Sequence, residues 1–326
     1  MVRRAGVVVA VLVSGLVLAG CASGSGLEVE AYVEPGGTAV DRVTDAVPLA
    51  TTIGVDGVTV ADDGSRLNEA PAGLAGLASA AGGSAELLVS NYSSTIGDFS
   101  PQAGTALLSS AENRGRVARQ VARAADDAGM RGVQIDLESL RARDRAGLVA
   151  FAAAVRDAVR DQLGDDARVS MAVMASTSAA GFRATGYDLR GLSEHVDRFV
   201  LMTYDQHGPW SGPGAVGALP WATRVVHAAE AQGLRADRID LGIASYGYAW
   251  GPGAGDAPLG PAAARRLAGD AAVWSDRDGE WSAELDDGRE LHWSDARSYR
   301  VRTALARELG LHGVAMWSLN SMSLPR

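Results

Sequence analysis

The chain alternates short apolar segments with longer amphipathic ones, and this alternation limits the folds open to it more than any other feature. Apolar runs that alternate with helical segments are typical of a parallel sheet covered by helices. Eight such runs in 326 residues predict an α/β fold, a closed (β/α)8 barrel formed by residues 27–326. The predicted strands are residues 29–33, 52–60, 85–90, 132–137, 168–174, 198–203, 239–245 and 313–318.

Two of the segments between these strands have clear helical periodicity, residues 112–128 and 145–163. In the second, apolar residues recur every three to four positions from Leu148 to Val159, which predicts a stripe buried against the sheet. Gly164 follows directly, and glycine is common just beyond the last residue of a helix.

The segment between the seventh and eighth strands is too long for a single helix. Residues 251–294 hold a turn rich in glycine and proline, a short helical stretch at 262–267, and Trp274, Trp281 and Trp293. We expect a small α+β insertion here, followed by a helix at 297–309. Few residues follow the last strand, so the helix that usually completes such a barrel is expected to be missing or truncated.

Four predicted strands end in polar or aromatic residues, and barrels of this kind carry their reactive groups at the carboxyl ends of strands. Residues 132–138 read GVQIDLE, which places Gln134, Asp136 and Glu138 on one face of the fourth strand. At about 3.3 Å per residue, the two carboxylates can couple their titrations yet address different atoms of a substrate. This arrangement predicts acid–base chemistry. The sixth, seventh and eighth strands end in MTYDQH, SYGYAW and AMWSLN.

In order and spacing, these four strand ends resemble those of family 18 glycoside hydrolases, the chitinase-like barrels. The resemblance is closest to the bacterial branch of cell-wall and spore-cortex N-acetylglucosaminidases. GVQIDLE is similar to the family's motif DGxDxDxE, MTYD to MxYD, and YGYAW to the segment that closes the seventh strand. Trp317 corresponds to the tryptophan beneath the sugar. The resemblance covers residues 85–320 well and the first two strands more loosely.

The resemblance implies a catalytic role for four side chains. Glu138 would protonate the glycosidic oxygen and later activate water. Asp136 would orient the N–H of the substrate's acetamido group and stabilise the positive charge that develops there. Tyr204 would hydrogen-bond the acetamide oxygen, and Asp205 would steady the group. The acetamide oxygen itself would attack the sugar, so hydrolysis would be retaining and substrate-assisted. The side chains expected to bind substrate are Gln134, Met202, Tyr246 and Trp317.

Two positions depart from the family motif. Arg131 replaces its leading Asp, and Gln134 replaces its middle Asp. An amide at position 134 can donate a hydrogen bond to Asp136, whereas a carboxylate there would repel it. The hypothesis is that Asp136 stays ionised more readily than in the enzymes with three carboxylates, which helps to keep Glu138 protonated. If so, Gln134→Asp is expected to move the limbs of the pH–rate profile.

A carbohydrate-binding barrel that no longer hydrolyses is the alternative function. Such proteins usually lose the acidic glutamate, whereas Glu138 and its three companions are present here. The sequence therefore favours an enzyme that acts on a polysaccharide of β-linked N-acetylglucosamine, either chitin or peptidoglycan. Release of shorter sugars would distinguish it from a protein that only binds.

The amino terminus has the features of a lipoprotein signal peptide. Arg3 and Arg4 precede an apolar run at 7–18, and small residues follow before Cys21. Leu-Ala-Gly-Cys at 18–21 resembles a lipobox, which implies cleavage after residue 20 and acylation of Cys21. Residues 21–26 would tether the barrel to the outer face of the cell membrane. Asn91 fits a glycosylation acceptor in Asn-Tyr-Ser, but the lipobox indicates a bacterium and so argues against that modification.

Composition excludes several other functions. The formal net charge is −9 at pH 7, which disfavours nucleic acid as a partner. All 30 basic residues are arginine, and a chain without lysine has neither Schiff-base lysine chemistry nor a Walker phosphate loop. The single cysteine and the spacing of the five histidines indicate no metal site, so no cofactor is expected. No obligate protein partner is indicated.

Overall fold

The computed structural model describes residues 26–326. The predicted signal peptide at 1–20, the lipidation site Cys21 and most of the tether therefore lie outside the described residues. Within residues 26–326, no helix combines the length and apolar character needed to cross a bilayer.

Eight parallel strands close into a barrel, and the strand Gly313–Trp317 pairs with Glu28–Val33 to complete it. Each predicted strand is present with ends that differ by at most one residue, so the (β/α)8 fold is confirmed. The barrel strands are Glu28–Val33 (β1), Thr52–Thr59 (β2), Ala85–Ser90 (β3), Gly132–Asp136 (β4), Arg168–Met174 (β5), Arg198–Met202 (β6), Ile239–Ala244 (β7) and Gly313–Trp317 (β8).

Helices cover the outside of the barrel. The helix Arg145–Leu163 has the predicted bounds, its four stripe residues are fully buried, and Gly164 ends it with a φ of 99°. The α-helices are Ala39–Ala46, Leu74–Ala80, Pro101–Ser109, Ala111–Ala128, Arg145–Leu163, Ala179–Ala184, Leu189–Leu192, Leu219–Glu230, Pro261–Ala268 and Ala296–Glu308. Short 3₁₀ turns lie at Ala142–Asp144, Ala236–Arg238 and Gly269–Ala271.

The α+β insertion after β7 begins earlier than the sequence indicates. Residues Gly247–Trp250 leave the barrel and pair antiparallel with Glu290–Trp293, which makes them the edge of a four-stranded sheet. Because one apolar run supplies both β7 and this edge strand, periodicity alone did not separate them. The remaining strands are Glu280–Glu284 and Val273–Ser275. Residues 318–326 follow β8 without forming a helix.

The barrel interior carries a charged cluster near the amino ends of the strands. Arg198 lies within 2.8 Å of Glu30, 3.0 Å of Glu86 and 2.6 Å of Asp240, and all four side chains are almost completely buried. Burial is the main cause that raises the pKa of Glu30 to about 7, and Glu86 and Asp240 raise it further against the opposing effect of Arg198. We call these four residues the floor cluster, because they lie beneath the candidate site.

Candidate active site

A cavity of about 500 Å³ opens at the carboxyl ends of the barrel strands. It contains every site residue that the sequence predicts within the described part of the chain. These residues are Gln134, Asp136, Glu138, Met202, Tyr204, Asp205, Tyr246 and Trp317. Segments far apart in the sequence therefore meet in one cavity.

The backbone of Glu138 is held by the neighbouring strand. Asn91, which follows β3, accepts a hydrogen bond from the Glu138 N–H at 2.9 Å and donates one to the Glu138 carbonyl at 2.9 Å. The hydroxyl of Tyr187 donates to the carbonyl of Leu137, also at 2.9 Å. Ser139 then turns the chain away with a φ of 56°, a left-handed conformation that costs a non-glycine residue free energy. These contacts fix the place from which the Glu138 side chain enters the cavity.

The environment of Glu138 favours its neutral form. Burial raises the pKa of this carboxyl well above its usual range, and the nearby carboxylates of Asp136, Asp205 and Asp98 raise it further. A glutamic acid that keeps its proton at neutral pH can donate it to a leaving group. Glu138 is therefore the candidate proton donor of this site.

Asp136 lies next to this acid and is itself only 8% exposed. Its Oδ1 atom is buried and has no hydrogen-bond partner among residues 26–326. Burial raises the pKa of Asp136 to about 7, with a further contribution from Asp56 on β2. An unpartnered carboxylate oxygen at a cavity wall is available to a polar group of a ligand.

The predicted hydrogen bond from Gln134 to Asp136 is wrong. The amide of Gln134 donates instead to Glu30 at 3.2 Å and to Ser170 at 3.0 Å, and its oxygen accepts from Tyr32 at 2.8 Å. The carboxylate of Glu30 lies beneath it and competes successfully for the amide protons. Gln134 reaches the cavity as part of its floor, but both of its N–H groups are used inside the barrel, so a hydrogen-bonding role toward substrate is not supported.

On the opposite wall, β6 leads into Tyr204 and Asp205. Asp205 has a φ of 57°, a conformation that Asp tolerates better than most residues. Its Oδ1 accepts hydrogen bonds from Tyr246 at 2.8 Å and from Tyr248 at 3.0 Å. Burial raises the pKa of Asp205, while both tyrosine hydroxyls lower it. Tyr246 thus lines the cavity as predicted, but its hydroxyl donates its hydrogen bond to Asp205.

Aromatic rings form much of the remaining surface. Trp317 packs against Tyr32 with 5.3 Å between ring centroids, and Tyr204 meets Tyr246 edge-on at 6.4 Å. Trp210 is 65% exposed at the mouth of the cavity and touches Tyr248 edge-on. Flat apolar surfaces beside hydrogen-bonding groups suit the faces of sugar rings.

The sequence did not identify Asn91, Tyr248, Asp56 or Asp98 as part of this arrangement. In the sequence, Asn91 stands out only as a possible glycosylation acceptor, whereas the structure buries it completely. Its position directly after a buried strand is the same signal that identified the other four strand ends. Tyr248 lies two residues beyond Tyr246, and the hydroxyls of both donate to Asp205.

We expect Asn91→Ala to weaken both folding and catalysis. The substitution removes three hydrogen bonds, two to Glu138 and one to the Ser100 carbonyl, and leaves backbone groups unpaired. Unfolding free energy should fall by about 1–3 kcal/mol, as measured by chemical denaturation. With glycan substrates, kcat should fall more than KM rises. Asn68→Ala, at an exposed position, is the control; equal losses in the two variants would argue against a specific role for Asn91.

Comparison with known proteins gives a consistent result. The sequence matches the family model for glycosyl hydrolases family 18 over residues 82–321. The Cortical fragment-lytic enzyme of Bacillus subtilis is 25% identical over 317 residues, which cover 92% of this chain and 72% of that protein. An uncharacterized glycosylase of the same organism, YvbX, is 26% identical over 163 residues. That match spans half of this chain and only 47% of YvbX.

Solved structures support the fold. The crystal structure of a chitinase from Chromobacterium violaceum superposes with a TM-score of 0.78 at 22% identity, over 90% of this chain and 95% of the chitinase.

Proposed function

Because the chain belongs to glycosyl hydrolase family 18, we propose that it hydrolyses β-1,4-linked N-acetylglucosamine glycans by a retaining, substrate-assisted mechanism. The observation that carries the proposal is the position of Glu138. Its carboxyl group, with a pKa raised by burial, shares one cavity with the Asp136 carboxylate, with Tyr204 and with Trp317. In the proposed reaction, Glu138 is the acid, Asp136 and Tyr204 hold the acetamido group, and Trp317 supports the apolar face of the ring.

In the first step, the acetamide oxygen of the substrate attacks the anomeric carbon and the glycosidic C–O bond breaks. The proton of Glu138 goes to the departing oxygen, and the sugar becomes a cyclic oxazolinium ion. Ionised Asp136 stabilises the positive charge on this ion and accepts a hydrogen bond from its N–H. The hydroxyl of Tyr204 donates to the acetamide oxygen and holds it close to the carbon that it attacks.

In the second step, water attacks the anomeric carbon from the side that the leaving group has vacated. The Glu138 carboxylate accepts the proton of that water, and the bond to the acetamide oxygen breaks. The acetamido group is regenerated, and the configuration of the sugar is retained. Asp205 acts through its hydrogen bonds to Tyr246 and Tyr248, which fix the wall next to Tyr204.

We also propose that the enzyme acts at the cell surface, anchored through acylated Cys21. The support comes from the sequence of residues 1–26. The name of the Bacillus subtilis relative, a cortical fragment-lytic enzyme, favours a glycan of the cell envelope as substrate. Chitin-type oligomers have the same N-acetylglucosamine unit and are the practical substrate for tests.

The acetamido group of the substrate is predicted to be essential. Fully N-acetylated chitin oligomers and peptidoglycan strands should yield shorter products by mass spectrometry. Fully de-N-acetylated oligomers should be cleaved at least about 10²-fold more slowly, since they lack the attacking oxygen.

Equal cleavage of acetylated and deacetylated oligomers would contradict substrate assistance. Binding of acetylated oligomers without any product would favour the alternative, a barrel that binds carbohydrate but does not hydrolyse it.

A further inference from the structure

Asp136 lacks the carboxyl neighbour that the family motif would place at the middle position. Gln134 occupies that position and directs its amide toward the floor cluster. Within the part of the chain that the structure describes, the buried Oδ1 atom of Asp136 has no hydrogen-bond partner. Any charge that adds to the effect of burial on the ionisation of Asp136 must therefore come from a residue other than 134.

The inner face of β2 carries the nearest candidate. A Cβ atom at Gly54 would meet the ring of Tyr32 and lie 2.9 Å from Oε1 of Glu30, so position 54 faces the barrel interior. Asp56, two residues further along the same strand, faces the same way. Asp56 thus has its side chain on the inner wall of the barrel, partly covered from solvent.

Strand register places Asp56 close to Asp136. Asp56 pairs with Leu88 on β3, and Leu88 pairs with Gln134 on β4. Asp136 pairs with Ser90 and so lies one inward-facing position nearer the mouth than Gln134. Only Leu88 and Ser90 of β3 lie between the two aspartates, and neither carries a charge.

The other titratable groups around Asp136 do not offset the negative charge of Asp56. Glu138 follows on its own strand, Tyr204 faces it from β6, Tyr32 from β1, and Tyr187 lies behind the strand end. Glu30 lies deeper and is paired with Arg198. Among the described residues that line the cavity, none is an arginine or a histidine.

We infer that Asp56 is a positioning residue that helps to control when Asp136 loses its proton. It takes the place of the carboxyl group that the family motif has at position 134, where this chain has a glutamine. Like charges held close together in a buried region oppose each other's ionisation. The pKa directions agree, because burial and then Asp56 raise the pKa of Asp136 to about 7, while burial and then Glu34 raise that of Asp56 to about 6.

The consequence for catalysis rests on the proposed function. Ionised Asp136 is needed to stabilise the oxazolinium ion, so activity should rise with pH as Asp136 loses its proton. Asp56 makes that loss harder and moves the acidic limb of the pH–rate profile upward. Removing the Asp56 charge lowers the pKa of Asp136, and the anion then persists to lower pH.

The test is Asp56→Asn in the full-length protein. The acidic limb of kcat/KM on chitin oligomers should move to lower pH by up to about one pH unit. The gain over wild type should be largest between about pH 6, where Asp56 ionises, and about pH 7, where Asp136 ionises, and should vanish at lower pH, where Asp56 is protonated. The ¹³C resonance of the Asp136 carboxyl should titrate at correspondingly lower pH. Asp56→Ser, which also removes the charge, should give the same shift.

Asp98→Asn is the matched control, since Asp98 acts on Glu138. It should lower the pKa of Glu138 and move the alkaline limb down, with the acidic limb in place. An unchanged Asp136 titration in both Asp56 variants would overturn the inference. The ¹³C measurement needs no turnover, so it separates this failure from a failure of the proposed hydrolysis.

Discussion

Replacing Glu138 by glutamine is expected to lower kcat on N-acetylglucosamine oligomers by about 10²–10⁴-fold. Glutamine keeps the size of the side chain, but it has no acidic proton to give to the leaving oxygen. The two hydrogen bonds between the Asn91 side chain and the backbone of Glu138 are unchanged by the substitution. The variant should therefore fold and bind oligomers with an affinity similar to that of wild type. Steady-state kinetics and calorimetric binding measure the two effects separately.

Glu112→Gln is a suitable control, because Glu112 is largely exposed on a surface helix and pairs only with Arg116. Its activity should equal that of wild type. If Glu138→Gln kept full activity, the proposed acid would be a different group. If it lost oligomer binding together with activity, the assignment of Glu138 to proton transfer would lose its support.

Replacing Arg198 by methionine is expected to cost about 3–5 kcal/mol of unfolding free energy. Methionine fills much of the same volume but leaves Glu30, Glu86 and Asp240 without their cation in the barrel interior. The loss should be visible in urea denaturation, with the midpoint as the primary measurement. Arg235→Met, at an exposed pair with Asp237, should change stability very little.

The loss from Arg198→Met should depend on pH. The pKa of Glu30 in the folded protein is raised from 4.5 to about 7, so its ionisation opposes folding increasingly as pH rises through that interval. Without Arg198 this opposition grows, and the variant should be less impaired at pH 5 than at pH 8. The double variant Arg198→Met/Glu30→Gln should recover part of the stability. A loss that is independent of pH would mean that packing, and not charge, explains the effect.

Much of the barrel could be predicted from sequence because each element has its own local signal. A strand such as Ala85–Ser90 shows itself as an apolar run, and the helix Arg145–Leu163 shows its periodicity and its terminal glycine. The four polar strand ends could be placed together because barrel topology brings all carboxyl ends to one mouth.

The interactions across the barrel could not be predicted in this way. Gln134 and Glu30 are 104 residues apart, and no spacing rule relates them. The sequence shows that residue 134 is a glutamine. It does not show whether the amide of that residue donates to Asp136 above it or to Glu30 below it. Asp56 lies in a strand that otherwise appears apolar. That its side chain faces the barrel interior is clear only from the pairing of this strand with β3.

The two hydrogen bonds from Asn91 tie the backbone of Glu138 to the end of a core strand and not to any of the long connections that surround the mouth. Those connections, including the short hairpin at 92–99 and the segment that carries Trp210, can therefore change in length or composition while Glu138 stays in place. Loop exchange is thus a practical route to new glycan preferences on this scaffold.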